Sequence, residues 1–162
     1  MDNNKPTAIF LIGAPGSGKS TYSVPFLRMG YTLISSDYFI EQIAKREGKT
    51  YTDVFKDATK DANAHIDAAA DIAIASQEFI VWDQTNMSAK TRKPKVDKLF
   101  KAGYNVIAVA FEIARDELDR RLTHREHETG KHIPGFVIAS MLSNYERPTT
   151  DEGFVEVSIV TG

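Results

Sequence analysis

Gly13-Ala14-Pro15-Gly16-Ser17-Gly18-Lys19-Ser20 matches G-x-x-x-x-G-K-[ST] at all of its specified positions, and no other stretch restricts the fold of this chain as tightly. The glycines let backbone N–H groups close around β- and γ-phosphate oxygens at a helix N-terminus. Lys19 adds a point charge on the same oxygens, and the Ser20 hydroxyl is placed to ligate Mg²⁺. Such a loop works only between a strand and a helix. The apolar run Ala8-Ile9-Phe10-Leu11-Ile12 stops at Gly13, as a strand buried on both faces of a parallel sheet would, and a helix is expected from about Lys19 to Arg28. Agreement of the motif with its flanks sets it apart from an ordinary Gly-rich turn. Gly13 to Thr21 is therefore expected to bind ATP or another nucleoside triphosphate together with Mg²⁺.

The rest of the chain alternates in the same way. Tyr31 to Ser35 reads as a second strand, and Ser35-Ser36-Asp37 has the small polar residues that cap a helix through Tyr38 to Arg46. Between Thr52 and about Ser76 the apolar residues Phe55, Ala58, Ala62, Ile66, Ala69 and Ala73 recur every three or four positions, which predicts a long Ala-rich helix. Phe79 to Trp82 is a third strand. A basic helix follows over Ala89 to Lys101 despite Pro94, then a fourth strand over Tyr104 to Phe111 and a highly charged helix from Arg115 to about Glu126. Gly130 to Pro134 breaks the pattern before a last helix, Phe136 to Tyr145, and a half-exposed fifth strand, Phe154 to Ile159. This order predicts an α/β fold, a five-stranded parallel doubly wound sheet flanked by helices, with its site at the carboxyl ends of the strands.

At 162 residues one domain over 1–162 is expected. Twenty basic against 22 acidic residues leave a net charge of -2, which removes any global electrostatic attraction to nucleic acid or an anionic membrane. The absence of cysteine excludes zinc fingers, thiol nucleophiles and disulfides. The polar N-terminus and the short apolar run after it fit neither a signal core nor a membrane span, so a soluble, cytoplasmic protein without membrane attachment is expected.

Four further groups carry chemistry. A triphosphate site of this kind needs a carboxylate near the metal, and Asp83 at the end of the third strand has that place; the alternative is a turn-forming Asp. Asp37, at the end of the second strand, would face the γ-phosphate and take a proton from an attacking hydroxyl, or would instead serve as a helix N-cap. Arg115, Arg120, Arg121 and Arg125 run along one helix into the Gly-containing break, as in a mobile lid over about 115–133 that brings guanidinium groups to a phosphoryl transition state. The alternative is a solvated helix whose arginines pair with Glu117, Asp119 and Glu126. His124, His127 and His132 have only loose metal-ligand spacing and read as surface histidines.

Together these segments resemble the kinase domain of polynucleotide 5′-hydroxyl kinases of the phage and animal types, within the zeta-toxin-like and nucleotide-kinase-like P-loop phosphotransferases. The likeness covers nearly the whole chain. It rests on Gly13 to Thr21 with Pro15 in the loop, Asp37 after the second strand, Asp83-Gln84-Thr85-Asn86 resembling D-x-T-N, and Arg121 with Arg125 in the lid. His132-Ile133-Pro134, Tyr145 to Thr149 and Glu152-Gly153-Phe154 look like the C-terminal stretch of the animal kinase domain. The resemblance implies a P-loop kinase fold with a helical lid and a general base at Asp37. It also implies Arg121 and Arg125 as stabilisers of the transferring phosphoryl group, and Thr85 and Asn86 near the acceptor or the phosphates. Phage-type members hold the acceptor's phosphate with an Arg three residues after the base, where this chain has Ile40. Any phosphatase or ligase activity that accompanies such a kinase is expected on a separate chain.

The expected activity is Mg²⁺-dependent transfer of the ATP γ-phosphoryl group to a 5′-hydroxyl of DNA or RNA. Lys90, Arg92, Lys93, Lys95, Lys98 and Lys101 form either a local phosphate-tracking face or a solvated helix. Two other readings stay open: a kinase of a small hydroxyl compound, nucleoside or hydroxymethylated base, which suits Ile40, and a nucleotide-dependent binding module without transfer.

Overall fold

The computed structural model describes residues 1–162. Five strands, β1 (Thr7–Ile12), β2 (Thr32–Ile34), β3 (Ile80–Asp83), β4 (Asn105–Glu112) and β5 (Glu156–Thr161), alternate with six helices. These are α1 (Lys19–Arg28), α2 (Ser36–Glu47), α3 (Tyr51–Ala75), α4 (Ala89–Lys101), α5 (Arg115–Thr129) and α6 (Gly135–Ser143). The sheet order is β2-β3-β1-β4-β5 and every pair is parallel, with Leu11 opposite Asp83 on one side and Val109 on the other.

Successive residues of β1 point to opposite faces of the sheet, so one apolar run supplies two cores. Phe10 and Ile12 pack with Trp82, Leu99 and Phe154 on one face, and Ile9 and Leu11 pack with Val81, Val109, Phe111 and Leu118 on the other. The Phe10 ring lies 6.0 Å from Trp82 and 5.7 Å from Phe154, both tilted. Truncating such a ring to Ala costs about 3–5 kcal/mol. β5 is the sheet's edge, and its partly exposed alternation is that of a strand with one partner.

Several boundaries move from their expected places. Phe154 lies before β5 and drops into the core while Val155 stays exposed, so the strand begins two residues later than its apolar pattern implies. In α3 the buried stripe is Val54, Ala58, Ala62, Ile66, Ala70 and Ala73, and Phe55 is exposed. The start of α3 sets that phase. Thr50 caps the helix with a reciprocal Asp53 bond, and Val54 then meets Ile40 and Ala44 of α2 in a small separate core with Ala58 and Ala62.

The basic residues of α4 do not form one face. Arg92 is fully buried and forms a bidentate pair with Glu152 while Nη1 donates to the Asn86 and Met87 carbonyls. Lys93 pairs with Asp97, Lys98 with Asp71, and Lys95 donates to Asn86 Oδ1. In α5 only Leu118 is fully buried, and charges pair along the helix, Arg115 with Asp119 and both Arg120 and Arg121 with Glu117, while His124 lies beside Glu128 and Arg125 reaches Glu41 of α2. No helix is long and apolar enough to cross a membrane.

Candidate active site

The loop between β1 and α1 is shaped by glycine at two points. Gly18 sits at φ 102°, a conformation that resists any side chain, and a Cβ at Gly13 would lie 2.6 Å from Ser17 Oγ and 3.0 Å from Phe111 Cβ. Lys19 Nζ donates to the Gly13 and Ala14 carbonyls at 2.8 and 3.1 Å, which folds its ammonium into the mouth of the loop. Burial lowers its pKa, while Asp83 and Asp37 pull in the opposite direction. Ser17 Oγ is buried without a hydrogen-bond partner, the kind of orphan that a phosphate oxygen satisfies.

Ser20 Oγ donates to Asp83 Oδ2 at 3.1 Å, joining the first turn of α1 to the last residue of β3. Burial raises the Asp83 pKa, opposed by the Lys19 charge and the Ser20 bond. One hydroxyl and one carboxylate suit Mg²⁺, which prefers few protein oxygens and takes the rest of its octahedron from phosphate and water. No cluster of three or more His, Cys, Asp or Glu offers a different kind of metal site, and His124 and His132 lie exposed beside Glu128 and Glu126.

Asp37 stands one residue inside α2. The capping role belongs to Ser35, whose hydroxyl accepts from Tyr38 N at 3.2 Å, so the Asp37 carboxylate is not bound to its own backbone. Instead Tyr51 OH donates to Oδ1 at 2.6 Å and Lys131 Nζ to Oδ2 at 3.2 Å. Burial by itself would raise the Asp37 pKa. The Lys131 charge, the Tyr51 and Lys131 hydrogen bonds and the Arg125 charge outweigh it and hold the carboxyl below its usual range.

Arg121 donates to the Gly16 carbonyl at 3.3 Å and to Glu117 at 2.8 Å, and Arg125 lies 3.9 Å from Glu41. Both arginines line the cleft that also holds Pro15 to Tyr22, Asp37 and Asp83, a space of about 690 Å³ walled on its far side by Phe111, Ile113 and Val160. Gly13 and Ala14, the first two residues of the loop, do not line this cleft.

Thr85 and Asn86 are not brought to this cleft. The Thr85 carbonyl accepts from Gly13 N–H at 2.9 Å. Asn86, at φ 50° and 1 % exposed, donates to the Leu11 and Gln84 carbonyls and accepts from Lys95. Its amide is thereby committed to the protein and supports the loop from behind, in place of the expected substrate contact. The two residues that bond Asp37, Tyr51 and Lys131, have no sequence signal. One is a helix-start aromatic and the other a lysine in a Gly-Pro break, and neither type in that setting points to a site.

A profile of AAA_33, an AAA-domain family, matches residues 9–148. The chain belongs to this family. It is 26% identical over 163 residues to a bifunctional polynucleotide phosphatase/kinase of Schizosaccharomyces pombe, an alignment covering 94% of this chain. The chain spans 33% of that relative's length. Among solved structures, one in the Pnkp1/Rnl/Hen1 RNA repair complex matches with a TM-score of 0.69 at 22% identity, over 86% of this chain and 44% of the other. A gluconokinase from Sinorhizobium meliloti 1021 matches with a TM-score of 0.56 at 25% identity, over 96% of this chain and 82% of the other. The α/β fold with its five-stranded parallel sheet is that of the P-loop kinases, and the family is one of kinase-like P-loop phosphotransferases.

Proposed function

We propose that this AAA_33 member is a Mg²⁺-dependent kinase that transfers the γ-phosphoryl group of ATP or another nucleoside triphosphate to a 5′-hydroxyl of DNA or RNA. The observation that carries the reading is the Asp37 carboxylate, free of capping and facing the same cleft as the P-loop and Asp83. The chain-long likeness to a polynucleotide phosphatase/kinase supports the acceptor class. Gly13 to Thr21 cradle the donor phosphates, with Lys19 on the β- and γ-oxygens. Ser20 and Asp83 would hold Mg²⁺, which when bound would supply charge that neutralises the phosphates. Asp37 accepts the proton of the acceptor hydroxyl as its oxygen bonds to the γ-phosphorus, and the bond from that phosphorus to the β,γ-bridging oxygen breaks to leave ADP. Arg121 and Arg125, from the helix that acts as lid, stabilise the charge on the transferring group.

A second reading, a kinase of a small hydroxyl compound, is favoured by two observations. Ile40 is 2 % exposed in the α2–α3 core and offers no charge to an acceptor phosphate, and on α4 Arg92 is buried and Lys93, Lys95 and Lys98 are bonded, which leaves Lys90 and Lys101 as its exposed cations without an ion pair. Transfer from γ-labelled ATP is to be measured on 5′-hydroxyl DNA, 5′-hydroxyl RNA, free nucleosides and 3′-phosphorylated nucleotides, with wild type and Asp37→Asn. Label on oligonucleotide ends, lost by ~10²-fold or more in Asp37→Asn with ATP affinity unchanged, is the expected result. Label only on small hydroxyl compounds selects the second reading. ADP formation that ignores every acceptor overturns both.

A further inference from the structure

Four charged residues of this chain are buried: Lys19, Asp83, Arg92 and Lys131. The first two belong to the donor site, and Arg92 is consumed by Glu152 and two carbonyls. Lys131 has no such explanation. Removing an ammonium from water is opposed by several kcal/mol, and a lysine near the surface ordinarily extends its charge outward. Lys131 does the reverse, with its side chain only 3% exposed.

Its placement is built from three directions. Thr52 Oγ1 donates to the Gly130 carbonyl at 3.1 Å and accepts from His132 N–H at 3.1 Å, so one hydroxyl pins the backbone on both sides of Lys131. The ammonium lies 4.0 Å from the centre of the Tyr51 ring, the same tyrosine whose hydroxyl holds Asp37 Oδ1. Lys131 Nζ then reaches Asp37 Oδ2 at 3.2 Å and Glu41 Oε1 at 3.7 Å.

We propose that Lys131 is a positioning residue for the phosphoryl-transfer reaction: it fixes the Asp37 carboxylate in its proton-accepting orientation and makes that orientation depend on the seating of α5. The inference rests on the reading of Asp37 as the base. Each carboxylate oxygen has two acceptor sites, so a carboxylate held by Tyr51 and Lys131 can still receive the hydroxyl of an acceptor. Lys131 lies two residues beyond the last residue of α5, past the left-handed turn at Gly130, and a displacement of that helix end withdraws the ammonium from Asp37. The groups facing Asp37 are Glu41 on its own helix, Tyr51 on α3, Arg125 on α5, Lys19 on α1 and Asp83 on β3, and of these only Tyr51 bonds the carboxylate as Lys131 does. The lowered Asp37 pKa agrees with that arrangement.

A double-mutant cycle separates the possibilities. Lys131→Met, Asp37→Asn, the double variant and Lys131→Arg are assayed for kcat and for KM of ATP and acceptor, with melting temperatures on the same preparations. Lys131→Met is expected to lower kcat by about 10-fold or more with the KM for ATP within about 2-fold of wild type, and to lower it by less than about 2-fold in the Asp37→Asn background. Lys131→Arg restores most of the rate. Unchanged kcat in Lys131→Met, or an equal loss with and without Asp37, overturns the proposal. Full transfer by Asp37→Asn alone instead overturns the reading of the base. If Lys131→Met does not fold, Lys131→Gln, which keeps a donor without the charge, carries the same cycle.

Discussion

The two sides of the cleft are made by different means. The side proposed to hold the donor is one continuous stretch, Gly13 to Thr21, in which backbone amides and a single lysine would carry the chemistry. The acceptor side takes Asp37 from α2, Tyr51 from α3, Arg125 from α5 and Lys131 from the turn behind α5. A loop that binds through its own backbone is specified by local residue types, glycines above all. A constellation of side chains from four segments exists only once the helices have packed. The proposed donor side would therefore tolerate little change within a short window, and the proposed acceptor side would be open to alteration one residue at a time.

The largest effect expected is on the donor side. Lys19→Ala should abolish transfer and greatly weaken nucleotide binding, on the order of 10³-fold or more in kcat/KM, since it removes the charge at the centre of a preformed cradle. Near-normal turnover with unchanged ATP affinity would remove the P-loop from the account. Next comes Arg92→Met, which leaves Glu152 and two buried carbonyls without their partner; about 3–5 kcal/mol of stability should be lost in denaturant titration. A loss below about 1 kcal/mol would mean that this brace is not needed to hold the loop after β3.

Smaller and more diagnostic is Asn86→Ala, expected to lower stability by about 1–3 kcal/mol through the carbonyls and Lys95 that it leaves unpaired, while the KM for acceptor in the surviving folded enzyme stays put. A rise in acceptor KM without loss of melting temperature would return Asn86 to the acceptor side. Ser20→Ala should lower the rate at limiting Mg²⁺ and recover partly as Mg²⁺ is raised, and a loss indifferent to Mg²⁺ would deny Ser20 its place as a ligand.

The smallest effect is one of pH. Burial pushes the Lys95 ammonium down to about 8, whereas in the unfolded chain a lysine holds its proton to about 10.4. Between those values the unfolded chain binds more protons, so this group adds stability as pH rises through that window and detracts most below it. Lys95→Met should flatten that rise, as read from the difference in unfolding midpoints between about pH 7.5 and 9.5. Parallel curves for the two proteins would show that Lys95 has an ordinary environment.

How far the sequence alone reached follows the same division. β1, β3 and β4 announce themselves because strands buried on both faces are continuous apolar runs, and the P-loop between β1 and α1 carries its own signature. The edge strand β5 was displaced by two residues because Phe154 contributes to the core from outside the strand. Phe55 was assigned inward because apolar character does not distinguish it from Val54, and only the Thr50 cap and the packing on α2 set the phase of α3. Six basic residues on α4 look alike as a string, yet the fold places Arg92 inside and pairs Lys93 and Lys98 with acids on α4 itself and on α3. Lys131 gave no warning at all, since burial of a lysine depends on chain segments about 80 residues away at Thr52 and still farther at Asp37.

The helix that crosses the P-loop pairs Arg115, Arg120 and Arg121 with acids on its own length, reaches Glu41 of α2 with Arg125, and lends the core one fully buried residue, Leu118. It behaves as a strut that carries its own internal bracing. What ties it down is Leu118 in the core, the Arg121 bond to Gly16, the Arg115 bond to Gly135 and the Thr52 clasp at Gly130, a short set of fastenings for a helix of 15 residues. As the lid of the proposed kinase, a helix so lightly fastened would open at a lower cost than any strand of the sheet beneath it. Salt, which weakens the exposed ion pairs within the strut, would then change its stiffness rather than the shape of the cleft it covers.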